Sequence, residues 1–144
     1  MPLDGYLIRL ELSSSFELLD LVQVLSDRLS GIAGLDEDTT HWVSVAVRES
    51  VINAIKHGNR EDVDKRVMVE FTLRPRRQPN EFEVQVIDQG AGFDPDHIAN
   101  PLDPENVLKS SGRGIFFMRS FMDHVSIDRR PEGGIAVRMS KKLG

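Results

Sequence analysis

Three groups of residues carry side chains and spacings that could do chemistry together. Glu49 and Asn53 lie four apart in Arg48-Glu49-Ser50-Val51-Ile52-Asn53-Ala54, so a helix would make them neighbours on one face. A carboxylate there can act as a general base, and an amide oxygen beside it can ligate a hard cation. Asp88 begins the run Asp88-Gln89-Gly90-Ala91-Gly92. At a strand exit its carboxylate could accept a hydrogen bond from an exocyclic amine, and Gly90 and Gly92 would let the backbone approach a flat ligand. Ser111-Gly112-Arg113-Gly114 precedes Ile115-Phe116-Phe117-Met118. A glycine-rich run opening a helix presents free N–H groups at a positive dipole end, and Arg113 adds a charge for phosphate oxygens.

Each group alone has a plainer explanation. Glu49 could pair with Arg48 or Lys56 instead of lining a cavity. Asp-x-Gly occurs in ordinary turns, and many helices start after glycine. His57, at the end of the same helix pattern, reads as a dipole partner or cap. Together the groups are more specific: they supply a metal-ligating amide with a base, an acceptor for adenine, and a phosphate cradle. The chain has no G-x-x-x-x-G-K-[ST] motif, so any phosphate site here is not a P-loop.

The elements that must position these residues follow from periodicity. Residues 6–12 read as an edge strand. Ser13, Ser14 and Ser15 offer N-caps, with Glu17 at capping-box spacing from Ser14, before a helix marked by Leu18, Leu21, Val22, Leu25 and Leu29 and closed by Gly31 and Gly34. A second helix runs from Asp36 to about His57 and is stopped by Gly58 and Asn59. It is apolar over most of its circumference, which predicts burial. Strands are predicted near 66–74 and 81–88, a helix near 114–122, and a final hairpin near 124–130 and 134–140. The long Gly- and Pro-bearing stretch between Asp88 and Gly114 has the texture of a functional loop. This order predicts an α/β fold, a two-layer sandwich with a mixed β-sheet, in one domain spanning 1–144.

Composition narrows the classes. The chain of 144 residues has no Cys, which removes disulfides and thiolate metal sites, and its net charge is −5. That balance argues against non-specific nucleic-acid binding. The basic run Arg74-Pro75-Arg76-Arg77 reads as a solvated hairpin connection. No apolar run is long enough to span a membrane, and the N-terminus does not resemble a signal peptide. A cytoplasmic protein is expected.

The motifs resemble those of the GHKL ATPase superfamily, with its Bergerat fold. Within it the chain is similar to the small bacterial anti-sigma factor kinases of the RsbW and SpoIIAB type, over about residues 8–142. Arg48 to Asn59 matches the family's N box, Asp88 to Pro95 its G1 box, and Gly112-Arg113-Gly114-Ile115 its G2 box. Met118-Arg119-Ser120-Phe121-Met122-Asp123-His124-Val125 matches a subfamily pattern.

The resemblance implies ATP and Mg²⁺ as ligands and a lid at roughly 94–111. It implies that Asn53 binds Mg²⁺, that Glu49 takes the proton from a serine or threonine hydroxyl, and that Asp88 binds the adenine amine. Gly90 and Gly92 would shape the base pocket and the hinge of the lid, and Ser111, Gly112, Arg113 and Gly114 would line the phosphates. The implied partners are a STAS-domain anti-anti-sigma protein as substrate and a sigma factor, with the kinase a homodimer. One departure stands out: where the family often has Gly-Thr in the last strand, this chain has Gly134-Ile135-Ala136-Val137. A nucleotide-dependent binding module without kinase turnover is the competing function. A detached histidine-kinase catalytic domain is the third, disfavoured by the lack of a dimerisation segment before residue 6.

Overall fold

The computed structural model describes residues 5–75, 77–90 and 118–143. Strand β1 (Tyr6–Ser13) leads through a 3-10 turn (Phe16–Leu18) into helix α1 (Leu19–Ile32) and helix α2 (Glu37–Asn53). Strands β2 (Arg66–Arg74) and β3 (Glu81–Ile87) follow, then β4 (His124–Arg129) and β5 (Ile135–Lys142). Residues 118–121 are helical, and the remainder of the helix expected near 114–122 lies outside the described residues.

The strands form one sheet in the order β1-β2-β3-β5-β4. All four ladders among the described residues are antiparallel, which corrects the expectation of a mixed sheet. The reason lies in the connections. A parallel neighbour needs a single crossover, whereas β1 and β2 are joined by two antiparallel helices. β2–β3 and β4–β5 are hairpins, and β5 enters beside β3 running the opposite way.

Alternation explains the core. Val67, Val69, Phe71 and Leu73 of β2 share a face with Phe82, Val84 and Val86 of β3 and with Met139 of β5, and all are buried. The helices cover that face with Leu19, Val22 and Leu29 of α1 and Val43, Ala46, Val47 and Val51 of α2. Buried Ser26, Ser30 and Ser44 line the helix contact, where small side chains let the axes approach. The opposite sheet face carries cross-strand ion pairs, Arg9–Glu70 at 2.7 Å and Arg138–Glu83 at 3.1 Å.

The helix ends differ from expectation in instructive ways. α1 continues through Gly31 and ends in a Schellman motif. Gly34 sits at φ +82, the Leu35 N–H donates to the Ser30 carbonyl at 3.0 Å, and the Gly34 N–H donates to the Gly31 carbonyl at 3.1 Å. Ser15, not Ser14, caps the turn before α1, accepting from the Glu17 N–H at 3.3 Å. Ser14 is buried and donates instead to the Lys65 carbonyl at 2.7 Å. At α2 the Asp36 carboxylate accepts from the Thr39 N–H at 2.7 Å, and that bond holds its carboxyl below the usual carboxylate range.

Candidate functional site

Helix α2 delivers the first pair. Its buried stripe of Val43, Val47 and Val51 fixes its rotation against the sheet, and that leaves Glu49 and Asn53 half-buried on a flank. Arg48, the first candidate partner for Glu49, turns to α1, where it reaches Gln23 Oε1 at 3.1 Å and Asp20 at 3.7 Å. Lys56 is exposed. Among the described residues Glu49 makes no hydrogen bond or ion pair. One turn further on, Asn53 Oδ1 is buried and, among the described residues, without a hydrogen-bond partner. A buried carbonyl-type oxygen left in that state costs about 1–3 kcal/mol, a cost that a bound cation would remove.

After Asn53 the helix widens into a π-turn over Ala54–Gly58, with the Asn59 N–H donating to the Ala54 carbonyl at 2.8 Å. Such turns concentrate at functional sites. Burial, with Lys56 adding repulsion, lowers the His57 pKa.

Gly58 and Asn59 do more than stop the helix. The left-handed residues there are Arg60 and Glu61, at φ 52 and φ 58. Gly58 is required by contact: a Cβ on it would overlap the Asp88 carboxylate. Asn59 is fully buried and brackets three segments. Its Nδ2 donates to Ser14 Oγ at 2.8 Å and to the Arg66 carbonyl at 3.0 Å, while its Oδ1 accepts from the Gln89 N–H at 2.8 Å.

Asp88 stands where β3 ends, 4% exposed. Its Oδ1 accepts from the Gly90 N–H at 3.0 Å and the Ile135 N–H at 3.1 Å. Its Oδ2 faces Gly58 and takes no hydrogen bond among the described residues. Burial raises its pKa, against the opposing pull of those N–H groups and of Arg130 and Lys65. Gly90 and Gly134 close the cradle: a Cβ on Gly90 would strike the Gly58 carbonyl, and one on Gly134 the Asp88 carbonyl.

The structure therefore brings Asp88 and Gly90 to the C-terminal end of the helix that bears Glu49 and Asn53. Gly92, Ser111, Gly112, Arg113 and Gly114, with the expected lid, lie outside the described residues. Sequence reasoning missed Gly58, Asn59 and Gly134 as parts of the site. Gly134 carried a faint signal, since it follows Gly133 in a hairpin turn that one glycine could have made.

A helix pair on an antiparallel sheet, with an orphaned amide oxygen on the helix and a glycine-walled carboxylate at a strand exit, defines a nucleotide-binding ATPase domain. The model of the histidine kinase-like ATPase domain family matches residues 14–141, and the chain belongs to that family. The family is one of ATPases, which implies that the chain uses ATP. The chain is 37% identical over 120 residues to the anti-sigma F factor of Bacillus subtilis (strain 168), covering 79% of this chain and 78% of that protein. Against the anti-sigma F factor of Bacillus velezensis the identity and coverage are the same. Against the serine-protein kinase RsbW of Bacillus subtilis it is 30% identical over 133 residues, covering 86% of this chain and 79% of that protein. No helix among the described residues is long and apolar enough to cross a membrane.

Proposed function

We propose that this chain is an ATP-dependent serine/threonine protein kinase that acts as an anti-sigma factor in a partner-switching circuit. Its substrate is a serine on a STAS-domain antagonist, and its second partner is a sigma factor. The observation that carries the reading is Glu49: half-buried, without a partner among the described residues, and one turn from the orphaned Asn53 oxygen. ATP binding alone needs the amide more than the carboxylate, so Glu49 favours turnover over a pure binding module. The names of the relatives, anti-sigma F factor and serine-protein kinase RsbW, support the same assignment.

In this reading Asp88 Oδ2 accepts from the adenine amine, and Gly58, Gly90 and Gly134 keep side chains out of the base's path. Asn53 Oδ1 would hold Mg²⁺, which would supply neutralisation of phosphate charge. Among the described residues no group of three or more His, Cys, Asp or Glu could hold a metal, so the remaining oxygens would come from phosphate and water. Ser111, Gly112, Arg113 and Gly114 line the phosphates, and Gly92 serves the hinge. Glu49 orients the acceptor hydroxyl and takes its proton as the hydroxyl oxygen bonds to the γ-phosphorus. The bond from that phosphorus to the β–γ bridging oxygen breaks, and ADP leaves. Such transfer relies on positioning and charge more than on covalent help.

We further propose that residues 1–144 form a single cytoplasmic domain acting as a homodimer, since Tyr6 and Leu7 of β1 and Leu21 and Val24 of α1 are exposed apolar side chains. The test of function is incubation with Mg-ATP and a STAS-domain protein of the same genome, read by mass spectrometry for phosphoserine. Glu49→Gln should lower transfer by about 10²- to 10⁴-fold while ATP affinity stays within about threefold. Transfer by the variant at the wild-type rate would remove the base assignment, and clear ATP binding without any transfer by the wild type would leave the binding module.

A further inference from the structure

The ladder between β2 and β3 stops short of where the chain would let it run. Its last pair is Met68 with Ile87, and the same register continued would set Val67 opposite Asp88 and Arg66 opposite Gln89. β2 itself extends to Arg66, which pairs with Ser13 of β1, so a strand is there to receive a partner. Residues opposite each other in an antiparallel ladder can exchange two main-chain N–H···O bonds directly.

Arg66 and Gln89 do not, because two side-chain amides stand between them. The Gln89 N–H donates to Asn59 Oδ1 at 2.8 Å, and Asn59 Nδ2 donates to the Arg66 carbonyl at 3.0 Å. One amide is thus inserted in series where a single main-chain bond would close. The Arg66 N–H donates to Gln89 Oε1 at 2.7 Å, so the glutamine side chain takes the place of its own main-chain carbonyl. Asn59 is held firmly in the gap. It is fully buried, its Nδ2 also donates to Ser14 Oγ at 2.8 Å, and its N–H donates to the Ala54 carbonyl. The end of β3 is therefore kept off β2 without leaving these main-chain groups unsatisfied, which is what makes the separation cheap.

The separation bears on Asp88 through the next residue. The Gly90 N–H is one of the two donors on Asp88 Oδ1, and Gly90 lies against the Gly58 carbonyl. Closure of Gln89 onto Arg66 would carry Gly90 toward β2 and away from Asp88, and the carboxylate would be free to turn. We propose that Asn59 and Gln89 are paired spacers, either of which keeps the end of β3 off β2, and which together hold Asp88 aimed at the nucleotide. This rests on the reading of Asp88 as the adenine acceptor. Each spacer blocks one of the two main-chain bonds, so the pair closes only when both are gone. They are positioning residues and act on the nucleotide through Asp88 alone.

The test is a double-mutant cycle in the full chain, read by calorimetry with ATP and by unfolding in urea. Gln89→Met keeps the length of the side chain and removes its acceptor, and Asn59→Ala removes the inserted amide. Each alone should weaken ATP binding by at most about threefold, because one spacer remains. Together they should weaken it by at least about 30-fold, well beyond the product of the two. Stability should couple in the opposite sense. The urea midpoint of the double variant should equal or exceed that of Asn59→Ala, because closing the ladder gives Arg66 and Gln89 main-chain partners. Gln89→Glu in the Asn59→Ala background restores an acceptor for the Arg66 N–H and should bind ATP as Asn59→Ala does. A double variant whose loss of affinity is only the product of the single losses overturns the proposal. So does a midpoint that falls by the sum of the single losses, which would mark both amides as stabilising contacts and nothing more. Asp88→Asn measured alongside tells the two failures apart. Undiminished ATP affinity in that variant removes the adenine reading and the proposal with it, whereas weakened affinity beside an additive cycle removes the spacers and leaves the reading.

Discussion

Asp88 and Glu49 are both carboxylates set beside the same helix, and the protein treats them in opposite ways. Asp88 has one oxygen filled by two backbone N–H groups from different segments, and glycines stand wherever a side chain would crowd it. Glu49 has no such scaffolding among the described residues; only the rotation of α2 holds it in place. In the proposed reading, recognition is written into the backbone around Asp88, and chemistry is left to Glu49, which would gain its partner from the substrate.

The sharpest way to break this contrast is Asp88→Asn. The variant keeps Oδ1 for Gly90 and Ile135 but puts an NH₂ where Oδ2 was, so donor faces donor. ATP affinity should fall about 30- to 100-fold by calorimetry. Stability of the ligand-free protein in urea should hold or rise, because a buried ionised carboxylate is gone. A stability loss instead would mean that the charge is an asset of the fold.

Acidity probes the same group. Burial raises the Asp88 pKa above its unfolded value, so the folded protein takes up this proton first. The contribution of Asp88 to stability therefore rises as pH falls from the raised pKa to the ordinary one. ATP affinity should fall over that same window, as Oδ2 loses its acceptor role. If Asp88→Asn shows the same affinity profile, the response belongs elsewhere.

Gly58→Ala comes next in size. Its methyl would push against the Asp88 carboxylate, and overpacking of this kind costs about 1–3 kcal/mol. Affinity for ATP should drop about tenfold along with stability, unlike the split expected for Asp88→Asn. Asn59→Ala should affect the nucleotide least. It strips the Gln89 N–H of its acceptor and should destabilise the fold by about 1–3 kcal/mol. Turnover of the remaining folded protein should stay within about twofold. A turnover collapse without unfolding would move Asn59 from bracket to participant.

Much of this was legible in the sequence because it rests on periodicity. The alternation of Phe82, Val84 and Val86 has one reading, and the spacing of Glu49 and Asn53 puts them on one face whatever surrounds them. What escaped depends on long-range contact. Gly58 reads as a helix stop from its neighbours, and only the arrival of Asp88, 30 positions later, makes its missing Cβ necessary. Ser14 looked like a cap because caps are local, and it was drawn off by Lys65 and Asn59. Strand direction failed for the same reason: the pairing of β3 with β5 joins residues as far apart as Glu81 and Lys142, and no local pattern encodes it.

That pairing has a consequence for how the protein is made. Ile135 supplies one of the two N–H groups on Asp88, and Gly134 walls the same pocket. A ribosome delivers the helix with Glu49 and Asn53 and the strand ending at Asp88 well before it delivers these residues. Until β5 slots between β3 and β4, a nascent chain lacks the pocket's last wall. If the Asp88 pocket holds the nucleotide as proposed, ATP can then stabilise this domain only once β5 has joined the sheet, and so rewards a late stage of its folding rather than an early one.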